Sequence, residues 1–72
     1  MKKHFPIIIE QDEDGVYLVE CPAFRGCRSY GNTIDEAIEN IQEAIKLCLE
    51  EVGREGKNTT FVGVRDIEVA LQ

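Results

Sequence analysis

Apolar positions along the chain change period once, and that change divides it into elements. Residues 4–11, HFPIIIEQ, form a compact apolar run that predicts a first strand, with Pro6 near its start because proline brings no N–H to a ladder. QDEDG (11–15) reads as an acidic turn, and Asp14 followed by Gly15 is a hairpin signal. GVYLVEC (15–21) predicts a second strand, residues 22–26 the next turn, and CRSYG (27–31) a shorter third strand. From there Ile34, Ala37, Ile38, Ile41, Ile45, Cys48, Leu49 and Val52 recur at steps of three and four, which makes one helical stripe over about 34–52. Thr33 and Glu36 have capping-box spacing, Asp35 and Glu36 suit the positive end of the helix dipole, and Gly53 stands where a helix end is expected. REGKNTT (54–60) is a polar loop and FVGV (61–64) an extended piece. DIEVAL (66–71) alternates, with Ile67, Val69 and Leu71 in phase. The phase slips after Val64, which predicts a bulge at Arg65 and Asp66 or two separate extended pieces.

This order leaves the sheet with more apolar surface than one helix covers. Phe5, Ile7 and Ile9 fall on one face of the first strand and Ile8 on the other. In the second strand Val16 and Leu18 oppose Tyr17, Val19 and Cys21. Whichever set lies beneath the helix, the other forms an apolar patch, and such patches mark interaction surfaces. The plainer alternative is that a few aliphatics and Tyr17 simply face water.

With 72 residues the chain is one small domain, spanning 1–72, whose core is marginal for its size. Its net charge of -6 disfavours nucleic acid as a partner and favours a basic protein. The apolar run behind Lys2 and Lys3 is too short for a signal peptide, and no segment reaches membrane-spanning length, so the chain is read as cytoplasmic.

Chemical sites are weakly supported. Cys21 and Cys27 flank a turn and can face each other, while Cys48 lies on the helical stripe. Adding His4 gives a Cys3His set, but the spacings match no zinc motif, and plain thiols are the favoured reading. No Cys–His or Ser–His nucleophile arrangement and no phosphate loop is visible. Nothing in the spacing of the many carboxylates requires them to converge on a metal. No catalytic residue, metal or cofactor is therefore assigned.

CPAFRGCRSYGNTIDEAIENIQEAI, with the hairpin before it, resembles the HicB family of antitoxins. Pro22, Gly26, Cys27, Gly31, Thr33, Glu36 and Ala37 match the family's segment, whereas Ala23, Phe24 and Arg25 depart from it. The resemblance implies an α+β fold of partial RNase H type: a three-stranded antiparallel meander, the helix, and a final strand parallel to the first. It also implies a partner, a HicA-like toxin, which is a small basic ribonuclease. Full-length HicB proteins carry a C-terminal DNA-binding domain, which is not expected in these residues. Active RNase H-like enzymes place a carboxylate in the middle of the first strand, where this chain has Ile7, Ile8 and Ile9, so catalysis is not expected.

The leading expectation is an antitoxin that neutralises a toxin ribonuclease by covering its active surface. The runner-up is an orphan homo-oligomer, dimer or tetramer, with a scaffold or small-ligand role. A weak metal-dependent nuclease is the third. Charge and expected exposure nominate Asp12, Asp14, Tyr17, Glu20 and Tyr30 on the sheet side, and Asp35, Glu39 and Glu43 on the helix, as partner-binding residues.

Overall fold

The structure, a computed structural model, describes residues 3–55 and 60–72, the side chains of 52–55 excepted. Its elements are β1 (Ile8–Gln11), β2 (Tyr17–Glu20), β3 (Arg28–Gly31) and α1 (Ile34–Glu55). The strands form an antiparallel meander in the order β1-β2-β3, with Ile9 opposite Val19 and Val19 opposite Ser29.

Both hairpin turns are fixed by local hydrogen bonds and one left-handed glycine each. In the first, the Asp12 N–H donates to the Val16 carbonyl at 2.9 Å. The Gly15 N–H donates to the Asp12 carbonyl at 3.1 Å. Asp12 Oδ1 accepts from the N–H groups of Asp14 and Val16, and Gly15 turns the chain at φ +88°, where a Cβ is penalised. In the second, two successive tight turns carry Cys21 to Phe24 and Phe24 to Cys27, with Gly26 at φ +75°. This double turn folds Phe24 inward, where it is buried with its ring centroid 5.4 Å from that of Phe5.

Entry into α1 follows the expected cap with one change of partner. The Glu36 N–H donates to Thr33 Oγ1 at 3.0 Å, while the Glu36 carboxylate accepts from the Asn32 N–H at 3.3 Å rather than from that of Thr33. The helix runs to Glu55, beyond the expected end near 52, so Gly53 lies within it and is not a cap. A glycine in the last turn costs only about 1 kcal/mol relative to alanine, too little to end a helix. The apolar stripe is also narrower than expected: Ala37, Ile41 and Ile45 are buried and Ile38, Ala44 and Cys48 pack beside them, but Ile34 and Leu49 are exposed. The side chain of Val52, and residues 56–59 of the expected polar loop, lie outside the described residues.

The core comprises Val19, Cys21, Phe24, Cys27, Ala37, Ile41 and Ile45, with Phe5, Ile7 and Tyr17 packed at its margin. It lies between α1 and the sheet face that carries Tyr17, Val19 and Cys21. A helix about 10 Å across covers roughly two strands spaced about 4.8 Å apart. Accordingly α1 rests on β3 and β2 and does not reach β1.

Among the described residues, 60–72 form no strand ladder and no hydrogen bond. The parallel pairing expected of the final strand, and with it the expected bulge at Arg65 and Asp66, is not seen among the described residues. The aliphatic side chains of the alternating segment are exposed.

Gly31 sets the distance between β3 and α1. A Cβ there would lie 2.5 Å from the Ala37 nitrogen, 2.9 Å from the Ala37 Cα and 2.9 Å from the Glu36 carbonyl carbon. All three are backbone atoms, so no rotamer change relieves the clash. Gly31→Ala should cost about 1–3 kcal/mol or more. For a domain of this size that lowers the melting temperature by about 4–8 °C per kcal/mol, measurable by thermal denaturation. Adding Ala37→Gly should restore nothing, because the clash does not involve the Ala37 methyl group.

Candidate functional site

The register fixes which groups share the uncovered sheet face. Side chains alternate, so Ile8, Glu10, Leu18, Glu20, Arg28 and Tyr30 point away from α1. Leu18 sits opposite Tyr30 and Glu20 opposite Arg28. Tyr30 is 67% exposed and Leu18 39%, although both are large and apolar in body. Together with Glu10, Glu20, Arg28 and the intervening Val19 and Ser29, they line an open groove of about 440 Å³. The Arg28 Nε lies 3.9 Å from Glu20 Oε2, a solvent-exposed pair that contributes ~0–1 kcal/mol to stability.

The nominated partner-binding residues divide among four places. Glu20 and Tyr30 meet in this groove. Asp12 and Asp14 occupy the β1–β2 turn, where the Asp12 carboxylate is engaged in holding the turn and Asp14 is exposed. Asp35, Glu39 and Glu43 follow one another at i, i+4 spacing, all exposed, on the side of α1 opposite its buried stripe. Tyr17 corrects the expectation that it lies outside the core: it shares the face of Val19 and packs half-buried against the core. Its position in the alternation, not its aromatic character, decides this. Leu18, Arg28 and Glu10 were not nominated, although the alternation that separates Val16 and Leu18 from Tyr17 and Val19 already placed Leu18 on an uncovered face.

The three cysteines meet beneath the helix. Cys21 and Cys27 are buried, facing across the second hairpin, and Cys48 approaches from α1; all are free thiols. Burial pushes the Cys27 thiol from its ordinary value of 9.0 up to about 12, with hydrogen bonding to Cys48 and the neighbouring charges of ionised Cys48 and Cys21 adding to the rise. Such a thiol is a packing group and a poor nucleophile. Among the described residues no group of three or more His, Cys, Asp or Glu side chains is placed to hold a metal ion, and no helix is long and apolar enough to cross a membrane.

A meander backed by one helix, with an apolar groove on its other face and a reduced thiol core, is the architecture of a small α+β domain with its second sheet face open to solvent. The sequence model of a family described as HicB-like antitoxin of bacterial toxin-antitoxin systems matches residues 5–70. The chain belongs to this family. It is 46% identical to a UPF0150 protein of Synechocystis, over 94% of this chain and 97% of that one. It is 43% identical to a UPF0150 protein of Archaeoglobus fulgidus, over 90% of this chain and 93% of that one. Among solved structures it is similar to the N-terminal domain of the antitoxin HicB of Burkholderia pseudomallei, with a TM-score of 0.63 and 38% identity, covering 85% of this chain and 72% of that one.

The Cys27 environment has a measurable consequence. Its folded-state pKa lies above the unfolded value, so the stability due to its neutral form is complete below pH 9.0 and is lost as pH rises from 9.0 towards about 12. Denaturant midpoints measured across that range should fall, and Cys27→Ala should flatten the fall. In the folded wild type at pH below 9.0, peptide mapping after alkylation should find Cys27 modified more slowly than half-buried Cys48.

Proposed function

We propose that the chain is an antitoxin that binds a small basic ribonuclease toxin and blocks its active surface, using the open sheet face as its main contact. The observation that carries this reading is the groove: an exposed tyrosine and leucine side by side, bordered by Glu10, Glu20 and Arg28. Tyrosine and arginine are among the residue types that most often dominate binding energy at interfaces, and an open cleft beside them gives an anchor somewhere to sit. Family membership supports the antitoxin role, and the similar solved domain belongs to a protein that is itself called an antitoxin.

The acidic groups contribute differently. The exposed helix row of Asp35, Glu39 and Glu43 lies on the opposite side of the domain from the groove, so its field adds to the net charge of -6 without touching a partner seated on the sheet. Long-range attraction of this kind raises the association rate for a basic partner and favours it over acidic competitors. Short-range contacts at the groove then set the lifetime of the complex.

The test begins with the full chain as bait in a native lysate, followed by mass spectrometry and an RNA cleavage assay on any small basic protein recovered. The expected result is a ribonuclease whose activity stops when the chain is added. Tyr30→Ala, truncating an anchor worth about 2 kcal/mol, should raise the concentration needed for inhibition about 30-fold. Glu39→Gln with Glu43→Gln should slow association several-fold and change dissociation little. Recovery of the chain alone would sink the toxin reading and favour the orphan homo-oligomer. Inhibition that Tyr30→Ala leaves untouched would move the contact surface off the groove.

A further inference from the structure

All three cysteines of the chain converge on one small core. Cys21 and Cys27 stand where the second hairpin closes, and the Cys21 N–H donates to the Cys27 carbonyl at 2.9 Å. Both side chains are buried. Cys48 packs against the same cluster from α1 and is half-buried. The Cys27 thiol is hydrogen-bonded to both of the others, with Cys48 the stronger partner. Adjacent thiols share one covalent chemistry, the two-electron oxidation to a disulfide.

Burial gives the three thiols different parts in such a reaction. Cys48 alone keeps an appreciable part of its surface in solvent, so an oxidant arriving from outside meets it first. Susceptibility to oxidation follows exposure, and an oxidised thiol is captured by a second thiol poised beside it. Cys27 is that second thiol. Its proton, held on by burial and by the neighbouring sulfurs, keeps it from reacting with an outside oxidant on its own account. Once Cys48 is oxidised, the hydroxide that leaves its sulfur carries the Cys27 proton away as water.

We propose that Cys48 and Cys27 form an oxidation site that hydrogen peroxide closes into a disulfide, stapling α1 to the second hairpin. In the first step the Cys48 sulfur attacks one peroxide oxygen: the O–O bond breaks, an S–O bond forms, and the other oxygen leaves as water with the Cys48 proton. In the second step the Cys27 sulfur attacks the Cys48 sulfur: the S–O bond breaks, the S–S bond forms, and the hydroxyl leaves as water with the Cys27 proton. The two thiols lose two electrons between them, and one peroxide becomes two waters. The link closes residues 28–47 into a loop that holds β3, the helix cap and more than half of α1. A cross-link of this kind acts chiefly by removing conformations from the unfolded chain, and in a domain with so small a core the gain is a large share of the total. Proteases act on the unfolded fraction, so the oxidised chain outlives the reduced one. The staple does not rest on the antitoxin reading, because it uses the core and not the groove.

The test treats the reduced full chain with hydrogen peroxide and removes the excess with catalase. Its intact mass is read, the remaining thiols are alkylated, and the chain is mapped. Trypsin cuts after Arg25, Arg28 and Lys46, which puts each cysteine on a peptide of its own. The expected product is a single chain of 8.1 kDa, lighter by about 2 Da for the two hydrogens lost. Residues 26–28 should be linked to 47–54, and a dithiol reductant should release them. The linked chain should melt roughly 10–25 °C above the reduced one. Cys21→Ala should keep the link, and Cys48→Ala should leave both buried thiols unoxidised at the same dose. Cys27→Ala should strand Cys48 as a sulfenic acid, which a cyclic diketone captures; should that variant fail to fold, the wild-type map decides. A link between Cys21 and Cys27, a link between two chains, a wild-type Cys48 that reaches sulfinic acid unpaired, or an unchanged mass each overturns the proposal. So does a linked chain that melts no higher than the reduced one.

Discussion

The close approach of β3 to the first turns of α1 is the contact on which the rest of this domain depends. It requires Gly31, because a side chain there would enter the backbone of Glu36 and Ala37, and it leaves Ala37 fully buried against the strand. With the strand end and helix start this close, Thr33 and Glu36 close the cap within one turn, and Asn40 reaches the Tyr30 carbonyl on the strand's outer edge. The helix is thereby committed to the β3 side of the sheet. From that commitment follow the burial of Ile41 and Ile45, the shelter of the three thiols, and the exposure of β1. The resemblance residues at this junction are thus explained by geometry: the glycine by contact distance, the threonine and glutamate by orphan N–H groups, and the alanine by lack of space.

The core beneath the helix is small and built from unusual material. Two of its seven buried side chains are cysteines, and its largest, Phe24, comes from a turn rather than from a strand or helix. Buried free thiols serve here as compact hydrophobes. Phe24 closes the end of the core that four-residue strands leave open, and Phe5 packs against it at a tilt of 47° from the chain before β1. A core of this extent gives a marginal domain. Further burial through a partner has correspondingly large leverage, which the open groove and the free tail both offer.

How far the sequence revealed this can be judged residue by residue. The hairpins, the cap and the helix followed from signals that act over a few residues: Gly15 after Asp14, Thr33 with Glu36, and apolar steps of three and four. The alternation in β1 and β2 also predicted two apolar faces. What it did not reveal depends on where elements lie relative to one another. Tyr17 reads as a candidate binding aromatic until the register places it beside Val19. Gly53 reads as a helix stop until the helix passes through it, because local preference at a frayed end is weak. Residues 66–71 read as a strand, and their alternation is genuine, but alternation marks a segment able to pair and does not say whether it meets an edge; among the described residues 60–72 join no ladder. Arg28 escaped notice because nothing local distinguishes a groove arginine from a solvated one; only its register opposite Glu20 does.

The two uncovered surfaces point in different directions. The groove of Leu18 and Tyr30 opens perpendicular to the sheet, on the side away from α1. The β1 edge opens within the plane of the sheet, and its exposed isoleucine faces the helix side. A strand added at that edge extends the sheet without crossing the groove, so occupation of one surface leaves the other free.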